Sequence, residues 1–159
     1  MDSGFTQVAL SKGVRCHVNT TDKFKTISVR ILLQEPLMED RVAPNALLPR
    51  VLKRGTRSYG NTRKLATRLE ELFGARLLSD VTKAGDRQVL VFGIDIVAGK
   101  FVGRGQDLLR EGLGVLNEVL NYPAEENGGF IASHVEQEKD ALKRQIGSII
   151  NDKAHYSMV

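Results

Sequence analysis

The sequence contains no tryptophan, one cysteine, three histidines and four prolines among its 159 residues. Each scarcity excludes something. A lone Cys16 closes no internal disulfide. The start of the chain, Met1-Asp2-Ser3-Gly4-Phe5, shows no basic stretch leading into an apolar segment, so no secretory signal is expected. Together these features point to a cytoplasmic protein. Apolar runs such as Val89 to Ile96 are broken by Gly93 and Asp95 and fall far short of the roughly 20 residues a membrane-spanning helix requires. No membrane association is expected.

His17, His134 and His155 never stand four apart, the spacing that sets two imidazoles on one helical face for a metal. They read as surface or strand residues. Cys16 lies between Val14 and Val18 and reads as a small packed thiol, not a nucleophile. Serine elbow, P-loop and dinucleotide fingerprints are missing, since the glycines from Gly99 to Gly105 do not follow a strand-turn-helix pattern. The carboxylates Glu70, Glu71, Glu136, Glu138 and Asp140 fall on helical stretches and read as solvated faces, because acid-base work needs two groups converging on one bond.

What is present is a chain of 42% hydrophobic and 26% charged residues, enough for one sizeable core. The formal charge of +4 is modest but uneven. Between Asp40 and Glu70 there is no acid, and Arg41, Arg50, Lys53, Arg54, Arg57, Arg63, Lys64 and Arg68 fall there. Such a stretch can present a basic surface to a peptide, a partner protein or nucleic acid. Tyr59 is its only aromatic, so no stacking platform accompanies the charge and nucleic acid is the weakest of these readings.

Along the chain, strands are expected near Phe5 to Leu10 and Val14 to Val18, with a turn at Lys12-Gly13. Ile27, Val29, Ile31 and Leu33, with Ser28 and Arg30 between them, show the period of a half-buried strand. Pro36 and Pro44 bracket a stretch, Glu35 to Ala43, that reads as a loop. A short helix is then expected over Ala46 to Arg54, with Pro49 in its first turn and Gly55 as its cap. A second helix starts at Asn61 or Thr62, lines one face with Leu65, Leu69, Leu72 and Phe73, and ends at Gly74. Arg76 to Val81 and Gln88 to Val97 read as an antiparallel hairpin turning near Gly85-Asp86. Phe101 to Asn121 reads as a helix with Leu109, Leu113, Leu116 and Leu120 inward and with Gly103, Gly105, Gly112 and Gly114 as weak points. A last helix from Ala132 carries Val135, Leu142, Ile146 and Ile149 on one side and meets no stop signal before Val159. The expected class is α+β, a mostly antiparallel sheet covered by helices on one face. Residues 1–159 are expected to form a single domain, the first part of a longer chain.

Two strings carry a resemblance. Ala46-Leu47-Leu48-Pro49-Arg50-Val51-Leu52-Lys53-Arg54-Gly55-Thr56 is followed by Leu69-Glu70-Glu71-Leu72-Phe73-Gly74-Ala75. Their order and content resemble the insulinase and pitrilysin metallopeptidases, which include the mitochondrial processing peptidase. In catalytic members the first string is similar to His-x-x-Glu-His, three apolar residues and Lys-Gly-Thr. Alignment on Gly55-Thr56 puts Ala46 and Arg50 at the two zinc histidines and Pro49 at the catalytic glutamate. Val135-Glu136-Gln137-Glu138-Lys139 resembles the family's Glu-x-Glu-Lys helix and sets Gln145 near the third ligand, over a longer interval than usual.

The resemblance implies the zinc-less bacterial branch, with no catalytic residue, no metal and no cofactor in this chain. It implies one lobe of a clam-shaped, peptide-enclosing chamber that works beside a zinc-bearing partner chain or as a homodimer. Extended peptide would pair with a sheet edge, and Arg50, Lys53, Arg54, Arg57, Arg63, Lys64 and Arg68 would contact substrate or partner. Two rival readings remain: an active zinc endopeptidase whose motif lies outside these residues, and a basic nucleic-acid-binding module.

Overall fold

The computed structural model describes residues 4–102 and 107–151, with side chains to Ser148. Eleven strands and α-helices follow one another: β1 (Thr6–Ser11), β2 (Val14–Val18), β3 (Thr26–Pro36), α1 (Glu39–Leu52), α2 (Thr62–Glu71), β4 (Arg76–Ala84), β5 (Arg87–Val97), α3 (Leu108–Asn121), β6 (Glu125–Glu126), β7 (Gly129–Phe130) and α4 (Ala132–Asn151). The α+β class holds. His155, Gly103 and Gly105 lie outside the described residues.

The main sheet is antiparallel with order β3-β5-β4. Strand β5 is central and supplies most of the sheet's contribution to the core: Leu90, Phe92, Ile94 and Ile96, all buried, lie on one of its faces. Even-numbered residues of β5 face the helices. Ile31 and Ser79 flank Phe92 in register, and Val29 and Leu77 flank Ile94. Each large apolar side chain buried here contributes about 1.5–3 kcal/mol relative to exposure. The opposite face mixes apolar residues such as Val89, Val91 and the exposed Leu32 with a polar group at Arg30 and Asp95. Gly93 leaves room for the Arg30 side chain to lie across it, and Asp95 accepts hydrogen bonds from Arg30 Nη2 and Ser28 Oγ, each at 2.7 Å. Burial raises the Asp95 pKa, but these bonds and the neighbouring Arg30 and Arg76 charges outweigh it and hold the carboxyl below its usual range.

Among the described residues β1 and β2 do not join this sheet; they pair with each other as a separate hairpin. Cys16 is half-buried between exposed Val14 and Val18, so the expected packed thiol lies outside the core.

α1 starts at Glu39, earlier than expected, and the loop assigned to Glu35–Ala43 shrinks to residues 37–38. Glu39 and Asp40 favour the helix start through the macrodipole. Leu37 N–H is tied to the Asp86 carbonyl at 2.8 Å, so the chain turns at once from β3 into the helix. Pro44 and Pro49 are therefore both internal, each removing a helix hydrogen bond. Pro49, Val51 and Leu52 are buried, and the Pro49 carbonyl accepts Ser79 Oγ–H at 2.9 Å. Packing against the sheet compensates for the broken ladder. Gly55 is not the helix cap, a place taken by Lys53. Gly55 is instead required because a Cβ there would stand 2.8 Å from the Gly60 backbone.

Asn61 caps α2 by accepting Lys64 N–H at 2.9 Å. Asn61→Ala is expected to lower domain stability by about 1 kcal/mol in denaturant unfolding, with a change below about 0.3 kcal/mol showing the cap to be idle. Leu65 and Leu72 are buried as expected, but Phe73 is not on that face. It takes a left-handed φ of 58° in the reversal before Gly74 and is half exposed.

α3 is rotated from the expected face. Leu108, Gly112, Val115, Leu116 and Val119 are buried, while Leu109 and Leu113 are exposed. Gly112 is the contact point, where an added Cβ would collide with Ile96 Cδ1. The helix turns its smallest residue to the sheet because that allows the closest approach.

Candidate functional site

α1 and α4 pack beside β4 and enclose a cavity of about 520 Å³, within the size range of ligand sites. Ala46, Pro49, Arg50, Lys53 and Arg54 line it from α1 and the turn after it, Ser79, Asp80 and Val81 from β4, and Glu138, Leu142 and Gln145 from α4. The i, i+4 spacing of Ala46 and Arg50 sets them on one stripe of α1, and Arg54 follows in the turn after the helix. Glu138, Leu142 and Gln145 form the answering stripe on α4.

Across the cavity Arg50 Nη2 donates to Gln145 Oε1, joining residues 95 apart in sequence. Arg54 donates to Gln137 Oε1 and lies 3.5 Å from Glu138. β4 pairs only with β5 among the described residues, so its second edge opens toward this cavity. On that edge the Val81 N–H donates to the Asp80 carboxylate at 2.8 Å, outside the ladder. A carboxylate here keeps a bare strand edge from pairing indiscriminately.

These side chains do not fit a divalent metal. Ala46 and Pro49 offer no side-chain donor atom. Arg50 brings a fixed positive charge that repels a cation, and the Gln145 carbonyl is engaged by Arg50. Among the described residues no cluster of His, Cys, Asp and Glu could hold a metal ion. The set also lacks a group able to act as general base at position 49.

No protein-family model matches the chain. Over 145 residues it is 40% identical to the probable inactive metalloprotease YmfF of Bacillus subtilis strain 168, covering 91% of this chain and 34% of that protein. The likeness is to a metalloprotease-like protein. A solved structure, a conserved protein from Enterococcus faecalis V583, superposes with a TM-score of 0.91 at 30% identity, covering 98% of this chain and 36% of that one. The chain thus spans about a third of the length of each.

With that metalloprotease-like relative in view, the four positions singled out in the sequence, Ala46, Pro49, Arg50 and Gln145, share one cavity. Lys53 and Arg54 join them. The remaining basic residues do not. Arg63, Lys64 and Arg68 line a separate open cleft with Tyr59, Asn61, Thr67 and Glu71. Arg68 is committed there to Glu111 at 2.7 Å and Glu71 at 3.2 Å, and its hydrogen bond to Glu111 raises its pKa against the effect of burial. Arg57 lies over the Tyr122 ring, 5.3 Å from its centre, and Arg41 lies 3.6 Å from Glu35. The acid-free stretch is therefore divided among several places and forms no single basic face.

Ser79, Asp80, Val81 and Thr62 line the cavity and were not foreseen. Nothing in a β4-like string announces which edge will stay open. Thr62 Oγ1 donates to the Arg54 carbonyl at 3.3 Å, a contact made only once α1 and α2 are folded together. Among the described residues no helix is long and apolar enough to cross a membrane.

Proposed function

We propose that this chain is a non-catalytic, peptidase-like protein of the insulinase and pitrilysin type, which holds extended peptide in the α1–α4–β4 cavity and supports a zinc-bearing partner chain. The observation that carries the reading is the meeting of Arg50 and Gln145 across that cavity. Residues that the resemblance assigns to two metal ligands face each other, as ligands of one metal must, while their chemistry rules the metal out. The relative's printed name, a probable inactive metalloprotease, supports the same reading.

The cavity keeps what peptide binding needs. The free edge of β4 offers main-chain groups for strand addition, and the Val81 N–H is held by a side chain that can yield to a peptide carbonyl. Holding peptide and cleaving it are separable, because cleavage needs activated water and strand addition does not.

Hydrogen exchange on the full-length protein tests this. With an extended peptide bound, the amides from Ser79 to Val81 are expected to exchange more slowly, and no chelator-sensitive cleavage is expected from the chain free of partner. Peptide that binds without protecting this edge, or cleavage abolished by chelator, would sink the proposal.

A further inference from the structure

Resting on the reading of this cavity as a peptide site, we propose that it is also a carboxylate receptor. Arg50, aided by Lys53, grips an acid carried by the bound peptide. The argument is one of charge accounting. Three cations, Arg50, Lys53 and Arg54, face two acids, Asp80 and Glu138. Glu138 is matched by Arg54 at 3.5 Å, and Asp80 is occupied by the Val81 N–H at 2.8 Å.

Arg50 meets only the neutral amide of Gln145, and Lys53 makes no ion pair among the described residues. Should peptide release Asp80 from Val81, the cations still outnumber the acids. A guanidinium carries five donors in a planar fork that matches a carboxylate. Gln145 takes one of its nitrogens and aligns the group without cancelling its charge. A glutamate at 145 would neutralise Arg50; the amide leaves the charge available to a ligand.

Arg50 is half-buried on the cavity wall, where a charge-assisted bond is screened less than on open surface. Lys53, three residues further along at the end of α1, lies on the same side of the helix. An acid entering beside β4 would meet both.

The carboxylate can belong to an acidic side chain or to a peptide's C-terminus, and three probes distinguish them. These are an extended peptide blocked at both ends with a central Glu, the same peptide with Gln, and the Gln peptide with a free C-terminal acid. Dissociation constants are measured by fluorescence anisotropy on the full-length protein at low and high salt.

One or both acidic probes are expected to bind about tenfold tighter than the blocked Gln peptide. That preference, read as the ratio of affinities for an acidic probe and the blocked Gln peptide within one variant, is expected to vanish in Arg50→Gln. The amide at position 50 can still bond Gln145, which favours a folded variant; Lys53→Gln, expected to reduce the preference, is the second test. Equal binding of all three probes, or a preference that survives Arg50→Gln, overturns the carboxylate receptor and leaves the peptide site standing. Failure of every probe to bind removes both.

Discussion

Phe92→Ala is expected to lower the opening free energy of the β5 amides by about 3–5 kcal/mol in native-state hydrogen exchange. Phe92 is 1% exposed at the middle of the central strand, flanked in register by Ile31 and Ser79. It belongs to the cluster that joins Leu52 of α1, Leu65 of α2 and Val115, Leu116 and Val119 of α3. Truncation removes apolar area from that junction and leaves a cavity, since β5 is held on both sides by ladders and cannot shift to fill it. A loss under about 1 kcal/mol would show that the helices close over the gap, and would mean that this layer is more plastic than its burial implies.

The legible parts of this fold are those governed by short-range periodicity. β3 was readable because Ile27, Val29 and Ile31 alternate with polar residues, and the β4–β5 hairpin because Gly85-Asp86 separates two apolar strings. The face of α3 was misread because two stripes coexist in it. In the more apolar one, formed by Leu109, Leu113, Leu116 and Leu120, Leu116 is buried and Leu120 packs against the core, but Leu109 and Leu113 are exposed because the helix turns Leu108, Gly112, Val115 and Val119 to the sheet. Spacing reports hydrophobicity but not how closely two backbones can approach. α1 was placed too late for a similar reason: Pro44 and Pro49 weaken a helix locally, and only burial of Pro49, Val51 and Leu52 against the sheet makes both tolerable.

At the site, the α1 residues came from an eleven-residue string and Gln145 from a resemblance on another helix. Their meeting is a property of packing between α1 and α4, which no local pattern contains. The open edge of β4 was illegible for the same reason: whether a strand has one partner or two is decided by the remainder of the sheet. Arg57 and Arg68 show the converse error. Their placement in a charged run suggested a common surface, but a ring and two carboxylates claim them individually.

The same packing allows the insulinase-type reading of the cavity to be tested by building a metal site into it. The combined variant Ala46→His, Arg50→His and Gln145→Glu is expected to take up about one zinc per chain, where the parent protein takes up none. Residues 46 and 50 stand four apart on one stripe of α1, the spacing by which two imidazoles reach one ion. Residue 145 is brought to residue 50 by α4. Removing the guanidinium also removes the charge that opposes the cation. At a zinc concentration about a hundredfold above Kd, the metal should stabilise the variant by about 2.7 kcal/mol, read as a rise in Tm that chelator reverses. Hydrolysis is not expected to return with the metal, because Pro49 supplies no base to the bound water. Zinc uptake without cleavage would show that metal ligation and base catalysis are separable requirements at this cavity. A folded variant that takes up no zinc would mean that α1 and α4 lie near each other without the geometry of a former metal centre, and the insulinase-type reading of this cavity would fall with it.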